Sequence, residues 1–369
     1  MKLPVLSMIN RMTSSRFSSR DPSEGSRTLR RTAWLLAPLL LLGGCATTGG
    51  GGGEGGEGVS ASAFTDPLPR SGAATILIAT PTFSDFIDVR RGLVTELQKN
   101  FNVSTVPVTK ETTAAQLGAA IDRTSPACVV LMNNLTVNLF KKYVEGLGGK
   151  PAPPAVVVMV SFVEKLRASL PRSTGIAYEV PGVTAFRNLR AIITAPVRKV
   201  GVVYRPGFKD YIDKQRELAA SEQIELDAVE VPKEVTAAEL KDAIIGLAEK
   251  NKVDALWMLN DNGLIRDGRF LDESWREALK TAKLPLIVGL PNLIDPVSPL
   301  GTIAVVPDHE TLGLQTANLI FDVADDGWRV EDHTIELPLS VKTIADVKQA
   351  KERFGLQPDA LRHIDRAAE

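Results

Sequence analysis

Three histidines and two cysteines among 369 residues leave little for metal chemistry or cross-linking. Two cysteines cannot build a disulfide framework or a cysteine-rich zinc site. His309, His333 and His363 lie far apart, and Glu310 beside His309 has no second histidine at helical spacing to complete a zinc motif. Aromatic residues, at 5%, are too sparse for a base-stacking nucleic-acid binder. Neither sign of charge dominates: 43 Lys+Arg against 44 Asp+Glu gives a net −1, so there is no basic field for a polyphosphate. No Gly-x-Ser-x-Gly elbow occurs, and no catalytic set emerges. The expectation is therefore a protein that is not an enzyme, with no cofactor, no metal and no nucleic-acid partner. What remains, 44% hydrophobic and 24% charged residues, suits a globular protein long enough for two ordinary domains.

The N-terminus reads as an address. Arg30-Arg31 precede an apolar run from Ala33 to Leu42, followed by Gly43-Gly44-Cys45. A basic flank, ten mostly apolar residues and small residues before a cut form a secretory signal. Ten residues are too short to span roughly 30 Å of hydrocarbon. Met8 and Met12 offer alternative starts, and the arginine pair also raises a twin-arginine export route. After Cys45 come eight glycines between Gly49 and Gly58, a stretch that buries nothing and makes a flexible coil. It is no phosphate loop, because no strand precedes it and no Gly-Lys-Ser/Thr closes it. Residues 1–44 hold seven basic and two acidic residues, which leaves 36 basic and 42 acidic residues in the remainder, net −6. Cys128, inside Ala127-Cys128-Val129-Val130-Leu131-Met132, reads as a small buried hydrophobe.

From Ala74 onward, short β-branched runs alternate with amphipathic segments. Strands are expected at Thr75–Ala79, Val103–Val106, Cys128–Met132, Ala155–Val160 and Thr174–Tyr178. A second series follows at Lys199–Tyr204, Glu225–Glu230, Ala255–Leu259, Leu286–Val288 and Thr302–Val306. Runs such as Val156-Val157-Val158-Met159-Val160 fit strands covered on both faces. Helical spacing appears in Phe86, Val89, Leu93 and Leu97, in Ala237, Leu240, Ile244 and Leu247, and in Leu312, Leu319, Ile320 and Val323. Thr236 and Glu239 fit a capping box. Alternation of this kind predicts an α/β protein of two Rossmann-like lobes with parallel sheets, and a hinge and cleft between them. The tail adds one strand and a last helix, and everything past Gly355 is polar, a loose end by composition.

Two sets of residues carry a family resemblance. Leu42-Gly43-Gly44-Cys45 resembles the bacterial lipobox, which implies cleavage before Cys45 and its diacylation. Further on, an ordered set of landmarks resembles the ABC-transporter substrate-binding family of tryptophan/tyrosine type. The set comprises Thr174-Gly175-Ile176-Ala177, then Arg198-Lys199-Val200-Gly201-Val202-Val203-Tyr204 with Pro206-Gly207, then Val253-Asp254-Ala255-Leu256-Trp257 with Asn260-Asp261-Asn262. Leu284-Pro285-Leu286-Ile287-Val288, the helix from Leu312 to Phe321, and Val341-Lys342-Thr343 continue it over about 180 residues. The resemblance implies the type I periplasmic-binding-protein architecture with three hinge crossings. It also implies an envelope location on the periplasmic face of the inner or outer membrane, a small-molecule ligand, amino-acid-like or apolar, and an ABC permease as partner. The chain departs from the family pattern at Ser161-Phe162-Val163-Glu164-Lys165 and at Arg205.

The implied organisation is a signal peptide over 1–44 and a lipidated tether over 45–72. The N-terminal lobe would cover 73–178 with about 307–332, the C-terminal lobe 179–306 with about 333–356, and a polar tail 357–369. Ligands of parallel sheets bind beyond the carboxyl ends of the strands. The candidates are therefore Thr82, Phe83, Ser84, Asn133, Asn134 and Ser161 on the first lobe. On the second they are Tyr204, Arg205, Asp261, Asn262 and Asn292. Phe162, Thr136, Phe208 and Asn260 adjoin them. Arg205 could clamp a carboxylate and Asp261 could hold an ammonium. Asn and Ser after strands also serve simply as helix caps. Trp257 reads as core and Trp275 as helix packing. Two functional readings follow: a lipid-anchored solute-binding protein feeding an ABC importer, or an envelope lipoprotein of the same fold acting as a lipid or sterol carrier or a signalling or structural partner.

Overall fold

The structure, a computed structural model, describes residues 64–294 and 299–368. The signal segment, Cys45 and the glycine run lie outside the described residues.

The first lobe is built on five parallel strands: β1 (Thr75–Thr80), β2 (Asn102–Pro107), β3 (Cys128–Met132), β4 (Ala155–Val158) and β5 (Ser173–Gly175). They lie in the order β2-β1-β3-β4-β5. Helices α1 (Ser84–Leu97), α2 (Ala114–Thr124), α3 (Asn134–Gly146) and the single turn α4 (Val163–Leu166) connect them. Every residue of β3 and β4 is buried, as continuous apolar runs require. Cys128 is fully buried, and desolvation pushes its thiol up to about 12. β4 ends two residues early because Met159 turns into the left-handed region, at φ 55°. Beyond that turn, Phe162 packs on Phe208 and Tyr211.

The second lobe begins with α5 (Gly182–Ile192), β6 (Lys199–Tyr204), α6 (Lys209–Ser221), β7 (Glu225–Glu230) and α7 (Ala237–Glu249). The expected capping box at Thr236 and Glu239 is present, with reciprocal bonds of 2.8 and 3.2 Å. β8 (Ala255–Trp257) is followed by α8 (Gly268–Leu271), a π turn over Asp272–Arg276, α9 (Glu277–Ala282) and β9 (Leu286–Val288). Then come β10 (Ile303–Pro307), α10 (His309–Asp325), β11 (Val341–Ala345), α11 (Val347–Gln349) and β12 (Arg366–Ala367). The sheet order is β12-β11-β10-β9-β8-β6-β7, with β11 antiparallel to β10.

Although α10 follows a strand of the second sheet, it packs on the first lobe. Leu312, Leu319, Ile320 and Val323 join a core with Ile76, Val89 and Leu93. Gly92 of α1 and Gly313 of α10 sit where a Cβ would collide with the partner helix backbone, so the two helices approach closely. The chain thus crosses between lobes three times: after β5, after β10, and before β11. The first and third crossings run side by side through the Ile176–Glu336 bridge and the Ala177 N–H bond to the Glu336 carbonyl, 2.8 Å. Buried Gln315 ties the third crossing to α10, donating to Glu336 Oε2 at 2.8 Å and to the Leu337 carbonyl at 2.9 Å.

Two composition-based expectations are corrected. Residues 64–72 are not tether. Asp66 pairs with nearly buried Arg90 at 2.7 Å and accepts from the Thr105 N–H at 2.7 Å, while Arg70 donates to the Asn102 side chain and the Lys99 carbonyl, both at 2.6 Å. A buried guanidinium needs a counter-ion, and composition cannot show where that counter-ion comes from. Nor is the segment past Gly355 loose: Ala360 is buried in the second-lobe core and β12 extends the sheet beside β11. Backbone pairing holds it despite its polar side chains.

Candidate functional site

The carboxyl ends of the strands in both sheets converge on the crossings. Between them lies a narrow, partly open cavity with about 20 Å³ of room for water, lined by Phe162, Tyr178, Glu179, Tyr211, Trp257 and Asn260, with smaller apolar neighbours. That volume holds about one water. The first lobe contributes Phe162 to its wall. Phe162, held at φ 54°, reaches across and meets Phe208 and Tyr211 edge-to-face at 4.6 and 5.3 Å. Trp257 backs this cluster, with Phe186 at 5.3 Å and Tyr211 at 6.3 Å. Trp257 is both buried core and cavity wall, which corrects its reading as core alone. Trp275 is pure packing, its indole N–H donating to the Leu264 carbonyl at 3.1 Å.

Glu179 lies on the first crossing. One carboxylate oxygen accepts the Phe162 N–H at 3.0 Å, and the other, Oε1, is enclosed without a partner. The residue as a whole keeps part of its surface in solvent. Desolvation raises its carboxyl to about 7, against the lowering effect of the Phe162 N–H. Asn260, past the end of β8, donates weakly to the Gly289 carbonyl at 3.4 Å, and its Oδ1 is likewise enclosed and unpartnered. Next to Glu179, the Tyr178 hydroxyl meets His309 Nε2 at 3.1 Å, which ties the first crossing to the start of α10. Burial lowers the His309 pKa.

Of the sequence candidates, Phe162 and Asn260 line this cavity and the others do not. Arg205 and Asp261 meet each other. Arg205 Nε donates to Asp261 Oδ2 at 2.7 Å, its second terminal nitrogen grips Oδ1, and the first donates to the Lys233 carbonyl at 2.9 Å. Asp261 also accepts the Gly263 N–H at 3.0 Å. Asn133 caps α3, accepting from the Thr136 N–H at 2.9 Å, with its own backbone at φ 99°. Phe83 holds the N-cap position of α1 with no side-chain cap bond. Thr82, Asn134 and Ser161 are half-buried, whereas Ser84, Asn262 and Asn292 are exposed. Burial raises the pKa of the Tyr204 hydroxyl, and its hydrogen bond to Glu230 adds to this.

Glu179, Tyr178 and Tyr211 were missed. The first two sit on a crossing, where no periodicity marks them, and Tyr211 looks like an ordinary helix residue. One signal was available: Glu179 is flanked by Tyr178 and Val180, and a lone acid among apolar residues needs a reason. Among the described residues, no cluster of His, Cys, Asp and Glu fits a metal ion, and no helix is long and apolar enough to cross a membrane.

No protein-family model and no curated protein matches the chain in sequence. Solved structures do match in fold. A ligand-free, open substrate-binding protein with adhesive properties from Clostridium difficile aligns with a TM-score of 0.58 at 14% identity, over 80% of this chain and 98% of that one. A conserved domain protein from Vibrio cholerae gives 0.53 at 17% identity, over 80% and 99%. An ABC domain from Streptococcus pneumonia in complex with L-Trp gives 0.50 at 15% identity, over 79% and 99%. With two α/β lobes joined by three crossings and these neighbours, the chain has the type I periplasmic-binding-protein fold.

Proposed function

We propose that the protein is a lipid-anchored, extracytoplasmic solute-binding protein that captures a small molecule between its lobes and delivers it to an ABC importer. One observation carries this reading: an aromatic-walled cavity lies where both lobes and the crossings meet, and it holds an enclosed acceptor the chain leaves unpaired. The structural neighbours support it, since two are substrate-binding or ABC proteins and one holds L-Trp. Ligand contacts to both lobes stabilise one hinge state over the other, which lets a permease tell loaded from empty protein. The anchor rests on Cys45 and the preceding Leu42-Gly43-Gly44, with the glycine run as tether. Native mass spectrometry of the purified full chain is expected to show a co-purified small molecule. Small-angle scattering should show the radius of gyration changing when that molecule is removed. A chain with no bound molecule and a fixed radius would instead favour the envelope lipoprotein without transport. Cys45→Ala should abolish acylation and membrane retention, because stable anchoring needs more than one acyl chain.

A further inference from the structure

Glu179 and Asn260 both line this cavity, and Glu179 Oε1 and Asn260 Oδ1 have no hydrogen-bond partner among the described residues. A buried acceptor without a partner is costly, more so when charged. Two at one cavity call for N–H donors from outside the chain. The rings of Phe162, Tyr178, Tyr211 and Trp257 also line it, among smaller apolar residues, and aromatic faces attract cations.

The cleft already contains an internal model of what would fit. Phe162 and Lys165, both from the first lobe, enter the aromatic slot of the second. The Phe162 ring stacks edge-to-face on Phe208 and Tyr211, and Lys165 Nζ sits 3.1 Å from the Phe208 ring centre and 5.3 Å from that of Phe162. A flat apolar body that lines the cavity, with an ammonium beside it, thus already packs on the second lobe. Phe162 adopts left-handed backbone geometry to do so, which a bulky residue disfavours, so the plug is not the chain's locally preferred state. Two cations lie near the cleft: Arg205, beyond β6, is spent on Asp261 and the Lys233 carbonyl, and Lys165 sits over the Phe208 ring, while a carboxylate in the cavity would face Glu179.

Resting on the cleft-binding reading above, we infer that the ligand is a small organic cation, an ammonium or amidinium on a flat apolar body. Its N–H groups bond Glu179 and Asn260, and its body displaces Phe162. The lobes part to admit it, since the cavity as it stands holds about one water.

Two probes with matched bodies and opposite charge test this: phenethylammonium and 3-phenylpropionate, titrated by calorimetry into the full chain freed of co-purified molecules. Phenethylammonium should bind and 3-phenylpropionate should not. Glu179→Gln should weaken amine binding about tenfold or more, as loss of a charge-assisted contact does. Phe162→Ala should tighten it several-fold, because the internal competitor is gone. Equal or tighter binding of 3-phenylpropionate overturns the inference but leaves the cleft-binding reading intact. Amine binding unchanged in Glu179→Gln also overturns it. So does failure of both probes at millimolar concentration in wild type and Phe162→Ala alike. Failure of the reading itself would show separately, as no co-purified molecule and no change in radius of gyration.

Discussion

Asp261 and Glu179 are two enclosed carboxylates near one cleft, and they differ in who satisfies them. Asp261 receives both arms of Arg205 and the Gly263 N–H, all from its own lobe. Glu179, on the first crossing, receives the Phe162 N–H from the first lobe, and its Oε1 has no hydrogen-bond partner among the described residues. The first is a latch that closes the corner between β6 and β8. The second is an unfinished contact on a hinge. A saturated carboxylate stabilises the resting fold, whereas an unsaturated one costs stability that a ligand can return. Polar residues at strand ends look alike in sequence, and their hydrogen-bond complement decides which serve the fold.

The comparison can be broken most forcefully at the latch. Asp261→Ala leaves the Arg205 guanidinium without its carboxylate in a half-buried corner. A loss of about 3–5 kcal/mol is expected, read as a fall in denaturation midpoint. Unchanged stability would return Asp261 to the list of free ligand-holding groups.

The hinge side carries a pH dependence whose sign follows from the raised pKa of Glu179, about 7 folded against 4.5 for a free glutamate carboxyl. Below about pH 4.5 the group is protonated in both states and costs nothing. As pH rises from there to about 7, the unfolded chain ionises first and folded stability falls, with the loss complete above about 7. Nearby Glu164 adds to the shift and Lys165 opposes it. Glu179→Gln should therefore gain stability on the order of 3 kcal/mol at pH 8 and almost none near pH 4. Melting curves at the two pH values check this, and an equal gain at both would sink the assignment.

A smaller effect tests where the tether ends. A chain starting at residue 73 removes Asp66 from Arg90 and Thr105. Compared with a chain starting at residue 64, it should lose about 1–3 kcal/mol. Chemical denaturation of the two truncations decides it, and matching midpoints would restore the longer tether.

The smallest effect is expected at Asn133. Asn133→Gly removes the cap on α3 but suits the positive φ, so stability should move by less than about 1 kcal/mol. Calorimetry with the co-purified molecule should show unchanged affinity. A marked loss would move Asn133 from cap to ligand contact.

Local patterns carried most of the architecture. The runs at Cys128–Met132 and Lys199–Tyr204 became strands at those bounds, because near-continuous β-branched sequence buries on both faces. The Thr236 cap, the core role of Cys128 and the two-lobe alternation were legible for the same reason: each depends on residues within a few positions of one another. The strand ends that face the cleft were also legible, since parallel sheets expose their carboxyl ends together. Tertiary structure alone decided what those ends do. Arg205 and Asp261 are 56 residues apart and neutralise each other, Asp66 meets Arg90 across 24, and Tyr178 finds His309 across 131. Glu179 gained its significance only when the crossings placed it beside Asn260 and under Phe162, on a surface assembled from both lobes. Periodicity registers which face of an element is buried. Whether a buried polar atom is satisfied depends on long-range partners, and that is settled only when the chain has closed on itself.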